Sequence, residues 1–389
     1  MNSDRNKKAR ILCGSTDLGS SAFCADLLWC SAFKVPDPVT LVEIDDTRIL
    51  LTSSLEVARA QKEAKVDEVV LIEEYAQRAR EEGVNPLIIF LRERGVGSVM
   101  VPGSLGYDLG GKLSKHFSVN VCIEQFYPER TIKKEFEIAE IAKAQVAVDH
   151  ALDEVRTILS DAHINGDYIF HRTFGDTPIT SEHIRDGIEH ALYKEGYLAL
   201  DTIVACGVQA ADPHMRGDGP LYARQPIVLD IFPRSRSSLY FTDCTRTFFK
   251  GEPSGEMIAL YENVREAQEG ALEKIRAGVD GFDVYTWVRE NFDKKGYSTN
   301  TQAHPVHGFI HGLGHGVGLE IHEAPRLGAC HAILQEGMVV TVEPGLYYPQ
   351  AQGSIPAGGV RIEDTVVVTK EGNKNLSSFS KDLRSIIMQ

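Results

Sequence analysis

GGVRIEDTVVV, Gly358 to Val368, reads as a strand with two unlike faces. Side chains alternate along a strand, so Arg361 and Glu363 point one way while Val360 and Ile362 point the other. The apolar face belongs in a core, and the polar face is aimed at a cavity. VVTVE, Val339 to Glu343, repeats the arrangement: Val339, Thr341 and Glu343 share a face, with Val340 and Val342 opposite. LDIFPRSRSSLYFTDCTRTF, Leu229 to Phe248, carries Asp230 and Asp243 on two strands joined by the turn Pro233 to Ser238, a hairpin that draws both carboxylates together. HGLGHGVGLEIHE, His311 to Glu323, supplies His315. One acidic residue on a strand is ordinarily solvated. Asp230, Asp243, His315, Glu343 and Glu363 in these settings together read as one site.

Four carboxylates in one pocket raise each other's pKa and need a cation to stay ionised. Oxygen donors with a single imidazole suit manganese, and also cobalt, iron or zinc, over thiolate-seeking metals. Two such ions, about 3.5–4 Å apart, polarise a carbonyl and generate hydroxide near neutral pH. The charge arithmetic points to hydrolysis.

Bulk composition narrows the field. A chain of 389 residues has room for two domains. Apolar content of 43% and charged content of 25% are those of a globular protein. A net charge of -14 argues against nucleic-acid binding, which uses a basic face to displace counterions. Seven cysteines, none in a CxxC pair, suggest free thiols in a reducing compartment. The polar start MNSDRNKKAR lacks the apolar core of a signal peptide. Ser20 to Phe33 contains Asp26 and is too short to span a bilayer. The expected setting is the cytoplasm, with no membrane partner.

Through residue 130 the chain alternates short apolar runs with helical patterns, an α/β arrangement. Strands are expected at Arg10 to Cys13, Val39 to Ile44, Ile49 to Thr52, Glu68 to Ile72, Ser98 to Pro102 and Ser118 to Ile123. Helices are expected at Leu55 to Ala64, Glu74 to Arg94 (interrupted by Pro86) and Leu109 to His116. From Thr131 the pattern changes to a long amphipathic helix, Lys134 to Leu159. Helices at Gly255 to Arg276 and Phe282 to Lys295 are each followed by a glycine, Gly278 and Gly296, placed as C-terminal caps. The ligand-bearing strands, among them one uninterrupted strand Gly359 to Thr369, complete an α+β domain. The expected boundaries are 1–130 and 131–389.

These motifs resemble those of the M24 metallopeptidases, the pita-bread fold shared by aminopeptidase P, prolidase, methionine aminopeptidase and creatinase. The resemblance covers Lys133 to about Thr369, and the preceding region is similar to the extra N-terminal domain of the aminopeptidase P, prolidase and creatinase branch. It implies a peptidase that cleaves between an N-terminal residue and a following proline, and a homodimer. It implies that Asp230 binds the first metal, that Asp243 and Glu363 bridge both, and that His315 and Glu343 bind the second. Glu343 would accept the proton from the attacking water, at a typical gain of about 10²–10⁴-fold. His214 (in ADPHMRGD), His311 and His322 match positions that bind the substrate backbone and stabilise the tetrahedral intermediate. Arg361 and Tyr347 match positions that hold the bridging carboxylates or line the pocket.

The chain departs from the family pattern in one place. Asp230 and Asp243 stand 13 positions apart, slightly more than usual, with Ile231 and Phe232 where small residues are usual. Lengthening a turn costs little, and Arg234 or Arg236 at the cavity mouth would meet a substrate carboxylate. Two readings from other classes compete. A metal-free creatinase-like C–N hydrolase would have lost ligands that are present here. A non-catalytic binding protein on the same fold is opposed by the same ligands and by the absence of charged tails.

Overall fold

The computed structural model describes residues 6–389. The chain divides into two compact units, with the division between Arg130 and Thr131.

The first unit is built on a six-stranded mixed sheet. In spatial order its strands are Glu68–Leu71, Thr47–Thr52, Val39–Ile44, Lys7–Gly14, Val96–Pro102 and Ser118–Cys122. Alternation feeds two cores: Ile11, Val42 and Ile49 pack on one face, and Leu12, Leu41 and Leu50 on the other. Both faces are covered, which accounts for the nearly continuous apolar runs of these strands. Pro86 does more than interrupt a helix. It opens a separate one, Pro86–Glu93, behind the Asn85 cap, while Ala76–Glu82 ends at Gly83 in the left-handed region. A short helix at Ala25–Ser31 has no counterpart among the expected elements.

In the second unit, the helix Glu135–Asp161 runs 27 residues. It buries Ile141, Val148, Leu152, Val155 and Leu159, the spaced apolar positions of its sequence. Helices Gly255–Leu272 and Gly281–Lys294 pack into the same core. Gly296, at φ +86, follows the cap residue Lys295 of the second of these, but Gly278 lies well beyond the first helix, which ends at Leu272 with Glu273 at its cap position. A further helix, Ser181–Lys194, was not anticipated; Thr180 caps it and Ile184, Ile188 and Leu192 are buried.

Two sheets carry the polar strands. A four-stranded sheet runs Ile203–Cys206, Ile227–Ile231, Cys244–Lys250 and Ile387–Met388. A five-stranded sheet runs Glu323–Leu327, Gly314–Gly316, Val339–Val342, Asp364–Val368 and Asn373–Asn375. The segment read as one strand from Gly359 to Thr369 is two. Gly358–Arg361 pairs with Gly345–Tyr348, and Asp364–Val368 pairs with Val339–Val342. Glu363 sits at the break. All seven cysteines are free, and Cys244 is buried on the core side, opposite its polar neighbours. Among the described residues no helix is long and apolar enough to cross a membrane.

Candidate metal centre and active site

Strand register assembles the site. Asp230 lies opposite Thr245 in the antiparallel pair, and Asp243 precedes Thr245 by two residues, so all three side chains share a face. The strand Gly314–Gly316 brings His315 alongside: its Nε2 lies 3.7 Å from Asp243 Oδ2 and 3.5 Å from Glu343 Oε1. Glycines flank His315 because the backbones nearly touch; a Cβ at Gly314 would overlap the Thr341 carbonyl, and one at Gly316 the Ala324 carbonyl. Backbone bonds fix both glutamates. The Glu343 N–H donates to the Leu313 carbonyl at 2.8 Å, and the Glu363 N–H to the Thr245 carbonyl at 3.0 Å.

The five ligand candidates face one cavity of about 900 Å³, which His214, His311, His322 and Arg361 also line. Asp243, His315 and Glu363 are buried, and their ligand atoms lie within 4.8 Å of one another, close enough to hold one metal ion. Asp243 Oδ1 and Glu363 Oε1 are buried without a hydrogen-bond partner. Such atoms are costly to leave bare, and two unpaired carboxylate oxygens beside a neutral imidazole make the donor set of a divalent cation. The residues therefore fit a metal.

Electrostatics lead to the same conclusion. Burial, then the Glu363 and Asp230 charges, push the Asp243 carboxyl well above the carboxylate range. Burial likewise raises Glu363, with Glu343 and Asp230 adding to it. Glu343 is pushed up to about 8, by burial first and partly countered by Arg361. His315 is pushed down to about 3 by burial and the neighbouring His322, which leaves it a neutral donor. Without a cation these carboxyls would hold protons instead.

Arg361 is buried at the back of the site. Its Nη2 donates to Asp230 Oδ2 at 2.7 Å, and its Nη1 to the Tyr347 hydroxyl at 3.0 Å. That hydroxyl meets His311 Nε2 at 2.8 Å, and His311 Nδ1 lies 2.7 Å from the Gly312 carbonyl. A carbonyl only accepts, so the proton is on Nδ1 and Nε2 accepts from Tyr347. Both His311 nitrogens are thereby engaged within the protein, and burial holds the ring neutral, with its pKa down to about 4. Tyr347 is fully buried behind this chain and does not line the cavity. His322 stands edge-on to His315, ring centroids 4.3 Å apart, and His214 lies in an exposed loop on the cavity wall.

Three features were missed in the sequence. Thr245 contacts Asp230, Glu363 and Arg361 at once; its place two residues after Asp243 was the available signal. Arg246 and Asp364 form a fully buried ion pair of 2.8 Å behind Glu363. Arg326, opposite His315 in the strand pair, is an exposed cation in the cavity with no hydrogen-bond or ion-pair partner among the described residues.

The turn between the aspartates differs from expectation. Arg234 is buried, donating to the Leu239 and Leu319 carbonyls and lying over the Phe241 ring, while Arg236 lies over Tyr193. Neither lines the cavity. The added residues fold back on themselves, and among the described arginines that line the cavity Arg326 is the one without an ion-pair partner.

The model of metallopeptidase family M24 matches residues 139–370, more than half of the sequence. The chain belongs to metallopeptidase family M24. It is 39% identical over 187 residues to the Xaa-Pro dipeptidase of Pyrococcus furiosus, a stretch covering 48% of this chain and 49% of that one. It thus spans about half the length of the first curated relatives it matches. Its coordinates superpose on prolidase from Pyrococcus furiosus with a TM-score of 0.75 at 26% identity, covering 96% of each chain. They also superpose on an X-Pro aminopeptidase from Thermotoga maritima with a TM-score of 0.76 at 25% identity, covering 98% and 97%. The fold is the M24 pita-bread fold, and membership of this family implies use of divalent metal.

Proposed function

We infer that this M24 chain is a metal-dependent exopeptidase that hydrolyses the bond between an N-terminal residue and a following proline, and that its preferred substrates are dipeptides. The pair of unpartnered buried oxygens on Asp243 and Glu363 beside His315 carries the metal part of this reading. Asp230, Asp243, His315, Glu343 and Glu363 would hold two divalent ions, with manganese the first choice for so oxygen-rich a set. Bound there, the ions would supply Lewis-acid polarisation of the scissile carbonyl and a water acidic enough to react near neutral pH.

The chain's own side chains do the rest. Glu343 takes the proton of the attacking water and returns it to the departing proline nitrogen. His322 and His214 present ring N–H groups to the substrate carbonyl from the cavity wall. His311 acts through Tyr347, which with Arg361 keeps Asp230 in place.

The preference for dipeptides rests on Arg326. An unpaired guanidinium on the same face as His315 suits a carboxylate one residue beyond the scissile bond. Longer Xaa-Pro-Xaa substrates carry a peptide carbonyl, not a carboxylate, at that distance. The test is the rate of proline release from Ala-Pro and Leu-Pro against cleavage of the matching tripeptides, with manganese and after chelation. Faster turnover of dipeptides, abolished by chelator and restored by manganese, is the expected result. Metal-independent hydrolysis would overturn the metal reading, and tripeptides cleaved as fast as dipeptides would overturn the role of Arg326.

A further inference from the structure

We propose that Thr245 is a positioning residue, whose hydroxyl holds Glu363 directly and Asp230 through Arg361, in the orientation that lets the two carboxylates share cations. This rests on the metal reading above and adds to it a residue that would not itself bind the metal. Thr245 is fully buried. Its Oγ1 lies 3.1 Å from Asp230 Oδ1 and 2.8 Å from Glu363 Oε2, and Arg361 Nε donates to it at 3.1 Å.

A hydroxyl has one proton and two lone pairs. Arg361 fills one lone pair, which turns the proton toward the carboxylates, and the shorter contact gives it to Glu363 Oε2. Asp230 is then anchored by Arg361 through its other oxygen, at 2.7 Å. The two carboxylates come from strands far apart in sequence, and Thr245 touches both while contributing no charge. Its backbone takes part as well, since its carbonyl accepts the Glu363 N–H. The bond leaves Glu363 Oε1 unpartnered. Removing the hydroxyl would strand the buried Arg361 Nε–H, free Glu363 to rotate, and loosen Asp230 through Arg361. Partners of this kind, one shell out from a metal, typically contribute about 10–100-fold to metal affinity.

The experiment is calorimetric titration of manganese(II) into metal-stripped full-length protein carrying Thr245→Val, Thr245→Ser or Thr245→Ala. Valine keeps the volume and the strand preference, and the serine–alanine pair differs by the hydroxyl alone. We expect Val and Ala to weaken the tighter manganese site about 10–100-fold and Ser to stay within about threefold of the unaltered protein, with metal-free Ala folded but melting below Ser because Arg361 Nε–H loses its acceptor. Should Val fail to fold, the serine–alanine comparison decides alone. Unchanged affinity in Ala, or equal loss in Ser and Ala, would overturn the proposal. An unaltered protein that takes up no manganese would overturn the metal reading itself, and this inference with it.

Discussion

Lys133 and Glu323 form a buried ion pair whose disruption has a calculable cost. Nζ lies 2.8 Å from Oε2, and the two side chains are 1% and 0% exposed. Glu323 also accepts the Glu320 N–H at 3.1 Å, and its carboxylate packs against Gly318, where a Cβ would come within 2.8 Å of it. The loop that presents His322 to the cavity is thus wrapped around this carboxylate. Glu323→Gln keeps the volume and an acceptor oxygen but leaves the Lys133 ammonium buried without its counter-charge, at a cost of about 3–5 kcal/mol. At about 2–4 °C per kcal/mol for a unit of this size, the melting temperature should fall by roughly 6–20 °C. Urea unfolding in the presence of chelator, which removes any stabilisation by bound metal, measures the loss directly. Lys133→Met combined with Glu323→Gln should recover most of it, because no charge then remains buried. A single variant within about 1 kcal/mol of the unaltered protein, or a double variant no better than the single, would refute the reasoning.

Arg326→Gln should reduce kcat/KM for Xaa-Pro about 10–100-fold, the value of a hydrogen-bonded charge, while leaving Xaa-Pro amides nearly unaffected; equal loss on both would remove the carboxylate role. Asp364→Asn should destabilise the protein by roughly 3–5 kcal/mol, because Arg246 then keeps a fully buried charge without its partner; a urea midpoint shift below about 1 kcal/mol would show that the pair is dispensable. Loss of water around the ring, and then the Arg361 charge, push His311 down from the ordinary 6.5 to about 4. In the window between those values the unfolded chain binds more protons than the folded one, so stability from this group is full above pH 6.5 and lost as pH falls toward 4. His311→Asn should therefore make stability against urea fall less steeply across that window, and an unchanged slope would show that the fold does not hold the His311 ring neutral.

Sequence periodicity was sufficient for the inner strands of the first unit because both of their faces are buried and the apolar runs are nearly continuous; the strand Ser118–Cys122 at the sheet edge is largely exposed. It was also sufficient for the helix Glu135–Asp161, whose apolar stripe is long. It failed where contacts across the chain decide the matter. The helix Ser181–Lys194 has only a few buried positions among many polar ones, and Gly278 looks like a cap although the helix ends six residues earlier. The polar alternation around Glu363 reads as one strand because alternation carries no information about which partner each half pairs with.

The site divides in the same way. Asp230, Asp243, His315, Glu343 and Glu363 are legible in the linear chain, because carboxylates on half-apolar strands and an imidazole between glycines are local patterns. What they do to one another, and which atoms are left without partners, follows from register and burial, which are long-range. Arg234 and Arg236 stand closer in sequence to the aspartates than Arg326 does, yet the turn folds them away and the strand pairing sets Arg326 opposite His315. Residue chemistry fixes which groups can bind a cation. The folded chain alone decides which charges share a cavity, because distance in space and loss of water set their interaction.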